Sequence, residues 1–160
     1  ATGPRCARPA LHRLVAAGAR EDEAGRALRE LLESKGFEVC EHRVIKDGAA
    51  VVANALSHMA YGFNGLIVTT GGTGFGPRDN TPEGTRRILD RRASGLAEAM
   101  RAASPLGRLS RGVAGTRGRA LIVNVPGSTN GAVEMLSAIL DIVPHALELM
   151  AGSTVTAHPV

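Results

Sequence analysis

Between Leu66 and Glu83 the chain passes from an unbroken apolar run, through four glycines in six residues, to a helix start. Leu66-Ile67-Val68 leads into Thr69-Thr-Gly-Gly-Thr-Gly-Phe-Gly-Pro-Arg-Asp-Asn-Thr-Pro82, and Thr81-Pro82-Glu83 has the signature of a helix N-terminus. That order reads strand, glycine loop, helix, and small α/β domains place ligands at such strand ends. Without Cβ atoms, successive glycines let backbone N–H groups point into one concavity that suits an anion. The helix start adds positive dipole character. Arg78 offers a bidentate phosphate donor and Asp79 a hard oxygen ligand for a divalent cation. The loop matches neither the phosphate loop ending in Gly-Lys-Ser/Thr nor the six-residue dinucleotide fingerprint. A connection that merely needs positive φ is the plainer alternative.

The flanking sequence alternates helical and extended patterns. Ala24, Ala27, Leu28, Leu31 and Leu32 recur at helical spacing, which predicts a helix over 23–35 capped by Asp22 and ended by Gly36. Phe37 to Ile45 reads as a strand, and Asp47 is expected to cap a second helix running through Ala60. Gly65 to Thr70 is apolar enough for burial on both faces, as in a parallel sheet. Thr81 is expected to cap a helix with Pro82 at its first position, and Ser94 to Ala103 is a further helix. Residues 106–118, rich in Gly and Arg, read as an extended loop. Arg119 to Val125 is another buried strand, followed by a second ligand-type loop, Pro126-Gly127-Ser128-Thr129-Asn130. A last helix is expected from near Gly131 to Met150, kinked or split by Pro144. This alternation implies an α/β fold, a three-layer α/β/α sandwich on a mostly parallel sheet. Asp47, the Gly71 loop and the Pro126 loop all follow strands, so they are expected on one edge of it.

With 160 residues a single core is expected. Only 2% of residues are aromatic and none is Trp, so the core must be built from Leu, Val, Ile, Ala and Met. The net charge of +4 admits nucleic acid as a partner, but scattered arginines and few stacking rings argue against a single-strand binder. Cys6 and Cys40 lack metal-like spacing, and Cys40 reads as a buried strand residue. No apolar run reaches membrane-span length and the N-terminus lacks a signal-peptide stretch, so the expected location is the cytoplasm, with no membrane partner.

The wider glycine-loop string resembles the MoaB/Mog family of molybdopterin adenylyltransferases, to which the G domain of gephyrin also belongs. Leu109-Ser110-Arg111 followed by Ala114-Gly115-Thr116-Arg117-Gly118 is similar to the family's second signature, and Leu121-Ile-Val-Asn-Val-Pro-Gly127 to its third. The resemblance implies a molybdopterin-binding domain over 15–150, a divergent segment over 1–14 and a tail over 151–160. It implies transfer of AMP from Mg-ATP to the terminal phosphate of molybdopterin, with Mg²⁺ as metal and ATP and molybdopterin as substrates. Asp79 matches the family's catalytic aspartate and Asp47 a second acidic position, both as Mg²⁺ ligands. Thr70, Gly71, Gly72, Thr73, Gly74, Arg78 and Thr81 would form the phosphate cradle. Ser110 and Arg111 would contact the pterin's phosphate or ring, and Asn124, Pro126, Gly127 and Ser128 would orient ligand. A homotrimer or homohexamer is implied, with other molybdenum-cofactor enzymes as further partners. Two other readings stay open: a pterin-binding paralogue without catalysis, and a nucleotide-binding module outside this pathway.

The N-terminus departs from that pattern. The family opens with an apolar strand ending in Ser-Asp-Arg, where this chain has Pro4, Pro9 and three arginines, Arg5, Arg8 and Arg13. Proline cannot donate to a ladder and arginine resists burial between strands, so the expected compromise is partial pairing over Pro9 to Val15 with Ala1 to Arg8 mobile.

Overall fold

A strand that is apolar on both faces folds stably only with a layer packed on each side, and two strands of this chain impose that condition. β3 (Gly65–Thr70) and β6 (Ala120–Val125) are buried at every position and pair in parallel. The structure, a computed structural model, describes residues 11–17 and 22–152. Around the central pair the chain runs β1 (Leu11–Ala17), α1 (Glu23–Ser34), β2 (Glu38–Ile45), α2 (Ala49–Ala60), β3, α3 (Thr81–Ile88), β4 (Arg91–Arg92) and α4 (Ser94–Ala102). A short 3-10 helix (Gly107–Leu109), β5 (Ala114–Arg117), β6, α5 (Thr129–Ser137) and α6 (Val143–Met150) complete it. The six-stranded sheet has the order β2-β1-β3-β6-β5-β4, parallel through β6 and antiparallel at β5 and β4.

The two-residue repeat of a strand sends Leu66, Val68, Leu121, Val123 and Val125 to one face and Ile67, Ala120 and Ile122 to the other. Leu28 and Leu32 of α1, Met100 of α4, Met135 and Leu136 of α5 and Leu147 of α6 cover the first face. Val52, Leu56 and Met59 of α2 and Ile88 of α3 cover the second. The result is the three-layer sandwich expected from the alternation, with an aliphatic and Met core.

Several boundaries differ from those read in the sequence. Gly48, at φ +132°, caps α2, so Asp47 lies one residue outside it. Asn80 is the N-cap of α3, and Thr81 is its first, buried residue, with Pro82 in the first turn. The expected loop over 106–118 contains the 3-10 helix and β5, because Ala114 to Arg117 turns back at Gly118 to pair with β6. The last helix is two helices, with Pro144 in the first turn of α6, where its missing N–H costs nothing. Cys40 is exposed, because it faces solvent from the edge strand β2. Asp22 caps α1 as expected, its Oδ1 accepting from the Gly25 N–H at 2.8 Å.

The first strand forms more fully than its composition suggests. Leu11–Ala17 pairs in parallel with β2 and β3 at once, with one register irregularity against β2 between His12 and Arg13. Pro4 and Pro9 lie outside the described residues. Arg13 is accommodated because its charge is compensated in place, although its buried Nε makes no hydrogen bond. Its guanidinium lies 4.1 Å from the Phe63 ring centroid, donates to the Met59 carbonyl, and has Nε 3.4 Å from Glu41 Oε2. The mobility expected of Ala1 to Arg8, and the tail beyond Gly152, lie outside the described residues.

α2 and α3 approach closely where Gly84 faces α2. A Cβ there would stand 2.5 Å from the Ala49 carbonyl oxygen and 2.7 Å from Val52 Cβ. Gly84→Ala is therefore expected to destabilise the fold by about 1–3 kcal/mol, despite alanine's better helix propensity. Urea unfolding checks this, and a stabilised variant would show that the two helices can separate without loss.

Candidate active site

Parallel pairing makes β2, β3 and β6 end on one edge of the sheet, so the glycine loop after β3 and the Pro126 loop after β6 face each other there. The Thr70 hydroxyl donates to the Pro126 carbonyl at 2.8 Å, and the Gly71 N–H to the Val125 carbonyl at 3.1 Å. A Cβ on Gly127 would stand 3.3 Å from Gly71 Cα, so the loops are in backbone contact. Gly72 has φ +69°, and a Cβ on it would collide with Thr81 Oγ1, whose residue donates its backbone N–H to the Gly72 carbonyl at 3.1 Å. Glycine is required there for conformation and for space.

Arg111 holds the loop from behind. Its backbone N–H donates to the Thr73 carbonyl at 2.8 Å, its Nε to Gly74 O at 2.8 Å and its Nη2 to Asp79 O at 2.6 Å. Nη1 pairs with Glu83 Oε1 at 2.7 Å. Burial acts to raise the Glu83 carboxyl pKa, but the Arg111 hydrogen bond and charge outweigh it, and the group is held below its ordinary value. With the carbonyls of Gly72, Thr73 and Gly74 engaged, the amides of the same three residues have no partner among the described residues. Unpaired backbone donors in a row make an anion-binding concavity.

Gly72, Thr73 and Gly74 border a cavity of about 370 Å³ lined also by Asp79, Ser110, Ser128, Leu106, Leu109 and Met135. Ser128 is the N-cap of α5, but its side chain makes no capping bond, so both its hydroxyl and the first-turn amides of α5 remain available. Asp79 folds back over the loop, Oδ2 accepting the Gly76 N–H at 2.9 Å, while its own N–H donates to Gly76 O at 3.1 Å. Oδ1 has no partner among the described residues. The lining thus combines backbone and hydroxyl donors and a single carboxylate with the apolar side chains of Leu106, Leu109 and Met135. A ligand with a phosphate and a largely flat, less polar body matches that combination.

The family model described as "Probable molybdopterin binding domain" matches residues 3–145. The chain belongs to this family. It is 34% identical over 143 residues to the molybdopterin adenylyltransferase of Helicobacter pylori strain J99, covering 85% of this chain and 81% of that protein. It is 34% identical over 165 residues to the molybdopterin adenylyltransferase of Escherichia coli K12, covering 91% and 84%. The crystal structure of the molybdopterin biosynthesis enzyme MoaB from Thermus thermophilus superposes with a TM-score of 0.84 at 43% identity, covering 90% of this chain and 98% of that one.

Within this family member, the residues singled out from sequence take several positions around the cavity. Gly72, Thr73, Gly74, Asp79, Ser110, Pro126, Gly127 and Ser128 all line the cavity. Thr70, Gly71 and Thr81 are buried beneath it and hold the loops together. Arg111 stands behind the loop, and Asn124 is fully buried, its side chain bonding the Val113 N–H, Thr69 Oγ1 and Thr85 Oγ1. Arg78 is exposed at the loop tip, its guanidinium without a partner among the described residues. Asp47 is exposed on the same sheet edge, after β2, and does not line the cavity.

Leu106, Leu109 and Met135 are cavity residues that sequence reading did not single out. Leu106 and Leu109 were legible as two leucines three apart in an otherwise Gly- and Arg-rich stretch, where i and i+3 side chains of a 3-10 turn share a face. Met135 carried no signal beyond its place on the apolar face of α5.

The Arg111–Glu83 pair has a defined pH signature. A carboxyl held below its unfolded value stabilises the fold above that value, ordinarily 4.5, and the contribution is lost as pH falls through the folded pKa. Wild type is expected to melt above Glu83→Gln at pH 7, with the gap closing below about pH 4.5. Melting curves of both proteins across that range check this, and a constant gap down to pH 3 would remove Glu83 from the clamp.

Proposed function

We propose that this chain is a molybdopterin adenylyltransferase of molybdenum cofactor biosynthesis, transferring AMP from ATP to the terminal phosphate of molybdopterin. The observation that carries the reading is the row of unpartnered amides at Gly72, Thr73 and Gly74 facing one carboxylate, in a chain of this family. An oxygen of the molybdopterin phosphate attacks the α-phosphorus of ATP, the bond from that phosphorus to the bridging oxygen breaks, and pyrophosphate leaves. Both reactants are anions, so the protein's main tasks are to neutralise charge and to align.

The loop amides, the α5 N-terminus and the hydroxyls of Ser110 and Ser128 supply fixed donors for phosphate oxygens. Leu106, Leu109 and Met135 take the less polar body of the ligand and exclude water from it. Arg111 and Asn124 act through the loops they hold, and Arg78 is free to close on an anion from the rim. Asp79 fits a Mg²⁺ site of the usual sparse kind, one or two carboxylates completed by substrate phosphates, since its Oδ1 is available. The described residues contain no cluster of three or more His, Cys, Asp or Glu that could hold a metal without such help. Bound there, Mg²⁺ would neutralise charge developing on the phosphates. Asp47 follows β2, two strands from β3 in the sheet, and is left outside this site.

A cytoplasmic setting is part of this proposal; no helix among the described residues is long and apolar enough to cross a membrane. Assembly into a homotrimer or homohexamer would cover exposed apolar side chains such as Val44, Val51, Tyr61 and Ile142. Light scattering at micromolar concentration is expected to give three or six chains per particle, and a monomer would count against this part of the reading.

Purified protein given Mg-ATP and molybdopterin is expected to release pyrophosphate and form adenylyl-molybdopterin. Asp79→Asn should keep the fold and lower that rate at least about a hundredfold, equivalent to about 2.7 kcal/mol of barrier. Turnover at the wild-type rate by the folded variant would remove Asp79 from the chemistry, and a folded wild type that yields no product would end the proposal.

A further inference from the structure

A second cavity, of about 360 Å³, lies on the other side of the 110–113 segment. Its walls include Arg86, Arg92, Arg101, Arg111, Ser94 and Ser110, and no acidic residue lines it. The whole chain carries a net charge of only +4, so four guanidiniums around one hollow are a strong local concentration. Their pairing is uneven. Arg111 is neutralised by Glu83, and Arg101 donates Nη1 to the Gly112 carbonyl at 2.9 Å, a neutral partner that leaves its charge in place. The side chains of Arg86 and Arg92 make no hydrogen bond or ion pair among the described residues, and Arg86 shares the field of the Glu83 carboxylate one turn before it on α3.

A helix terminus adds to this. Ser94 is the first residue of α4, whose N-cap, Ala93, has no side chain that could cap it. Of the first-turn amides, that of Leu96 alone is engaged among the described residues, with Ala93 O at 3.1 Å. A Cβ on Gly95 would meet nothing within 4 Å, so this terminus opens onto free space. Arginines on an edge strand such as β4 also discourage sheet-to-sheet association, which accounts for Arg91 and Arg92 together. It does not account for Arg86 on α3 and Arg101 on α4 converging with Arg92 from three separate elements.

From this convergence we infer a second anion subsite that binds a polyphosphate group, either free pyrophosphate or the tail of a nucleotide. A single phosphate ester carries about −1.5 to −2, which one or two guanidiniums neutralise. Two arginines without an acidic partner, Arg92 and Arg101, a third, Arg86, that shares Glu83 with Arg111, and a helix N-terminus match a longer, more highly charged anion. The volume falls at the small end of ligand sites, about 300–1,000 Å³, above what one oxyanion fills. Nucleic acid is disfavoured, because no aromatic ring lines the hollow for bases to stack on. Ser110 lines both cavities, so an anion here lies one residue's width from the first site. The choice of polyphosphate among oxyanions rests on the adenylyl-transfer reading; the existence of the subsite does not.

The test is calorimetric titration of inorganic pyrophosphate, inorganic phosphate and a non-hydrolysable ATP analogue into wild type, Arg86→Gln/Arg92→Gln and Asp79→Asn. Both arginines are exposed, so the double variant is expected to melt as wild type, and Arg92→Gln alone serves if it does not. Pyrophosphate should bind wild type more tightly than phosphate does and lose at least tenfold in the double variant. It should bind Asp79→Asn as it binds wild type, which keeps this result separate from failure of the transfer reaction. A parallel loss for the ATP analogue identifies the nucleotide tail as the occupant, and a loss confined to pyrophosphate identifies the free anion. Equal affinity of wild type and the arginine variants for pyrophosphate, or no binding by wild type at millimolar concentration, overturns the inference.

Discussion

The donors of this site exist because Arg111 takes up the acceptors. A peptide loop carries as many carbonyls as amides, and a loop left to itself satisfies one with the other or with water. Here the carbonyls of Thr73, Gly74 and Asp79 all bond to Arg111, from its backbone N–H, Nε and Nη2. The neighbouring amides then have no internal acceptor, and the loop presents them as a group. Lysine could not substitute, since a compact ammonium has no planar fork to span Gly74, Asp79 and Glu83 together. Each bond to a charged donor contributes about 1.5–3 kcal/mol, and the bonds act on one loop, so they are not additive. Glu83 takes up Nη1, the remaining guanidinium nitrogen, at 2.7 Å.

The sheet decides where that loop can stand. β3 and β6 are adjacent, parallel and buried at every position, so their ends cannot shift without opening both cores. Asn124, near the end of β6, ties three elements at this point. It receives the Val113 N–H, donates to Thr69 Oγ1 on β3 at 2.8 Å and donates to Thr85 Oγ1 on α3 at 3.1 Å. A buried amide with all its partners present fixes one arrangement of the strand end, the helix after the glycine loop and the segment that carries Arg111. The site is precise because its loops leave rigid elements within one or two residues.

Much of this was legible along the chain because the signals were local. The glycine loop, the continuous apolar runs of β3 and β6 and the helical spacing in α1 each announce their structure within a few residues. What escaped was non-local. Asp47 lies next to the cap because Gly48 can adopt φ +132°, and a sequence window cannot distinguish that from capping by aspartate itself. β5 was hidden in a Gly- and Arg-rich stretch because its pairing partner, β6, supplies the hydrogen bonds that its composition does not suggest. Arg13 looked incompatible with a central strand because its compensation comes from Phe63 and Met59, roughly fifty positions away, and from Glu41 on the neighbouring strand. The polar residues posed the same difficulty. Arg111 and Asn124 read as ligand contacts, while the structure places both behind the wall, where they bond to the loops that form it.

The 110–113 segment separates two hollows of opposite design. The first offers neutral, fixed donors and an apolar wall; the second offers the formal charge of four arginines over a lining that also includes Ala97, Val113 and Ala114. Fixed amides suit a group whose position must be held to a fraction of an ångström while a bond changes, since they need no reorganisation as charge moves. Flexible arginines suit a group that has to be captured from water and let go, since long side chains follow an anion without defining its position closely. A transfer between two phosphates needs both properties, one at the reacting phosphorus and one at the charge that departs from it. The fold meets that requirement with a single wall: Ser110 faces both hollows, and Arg111, one residue on, braces the cradle of the first while bordering the second.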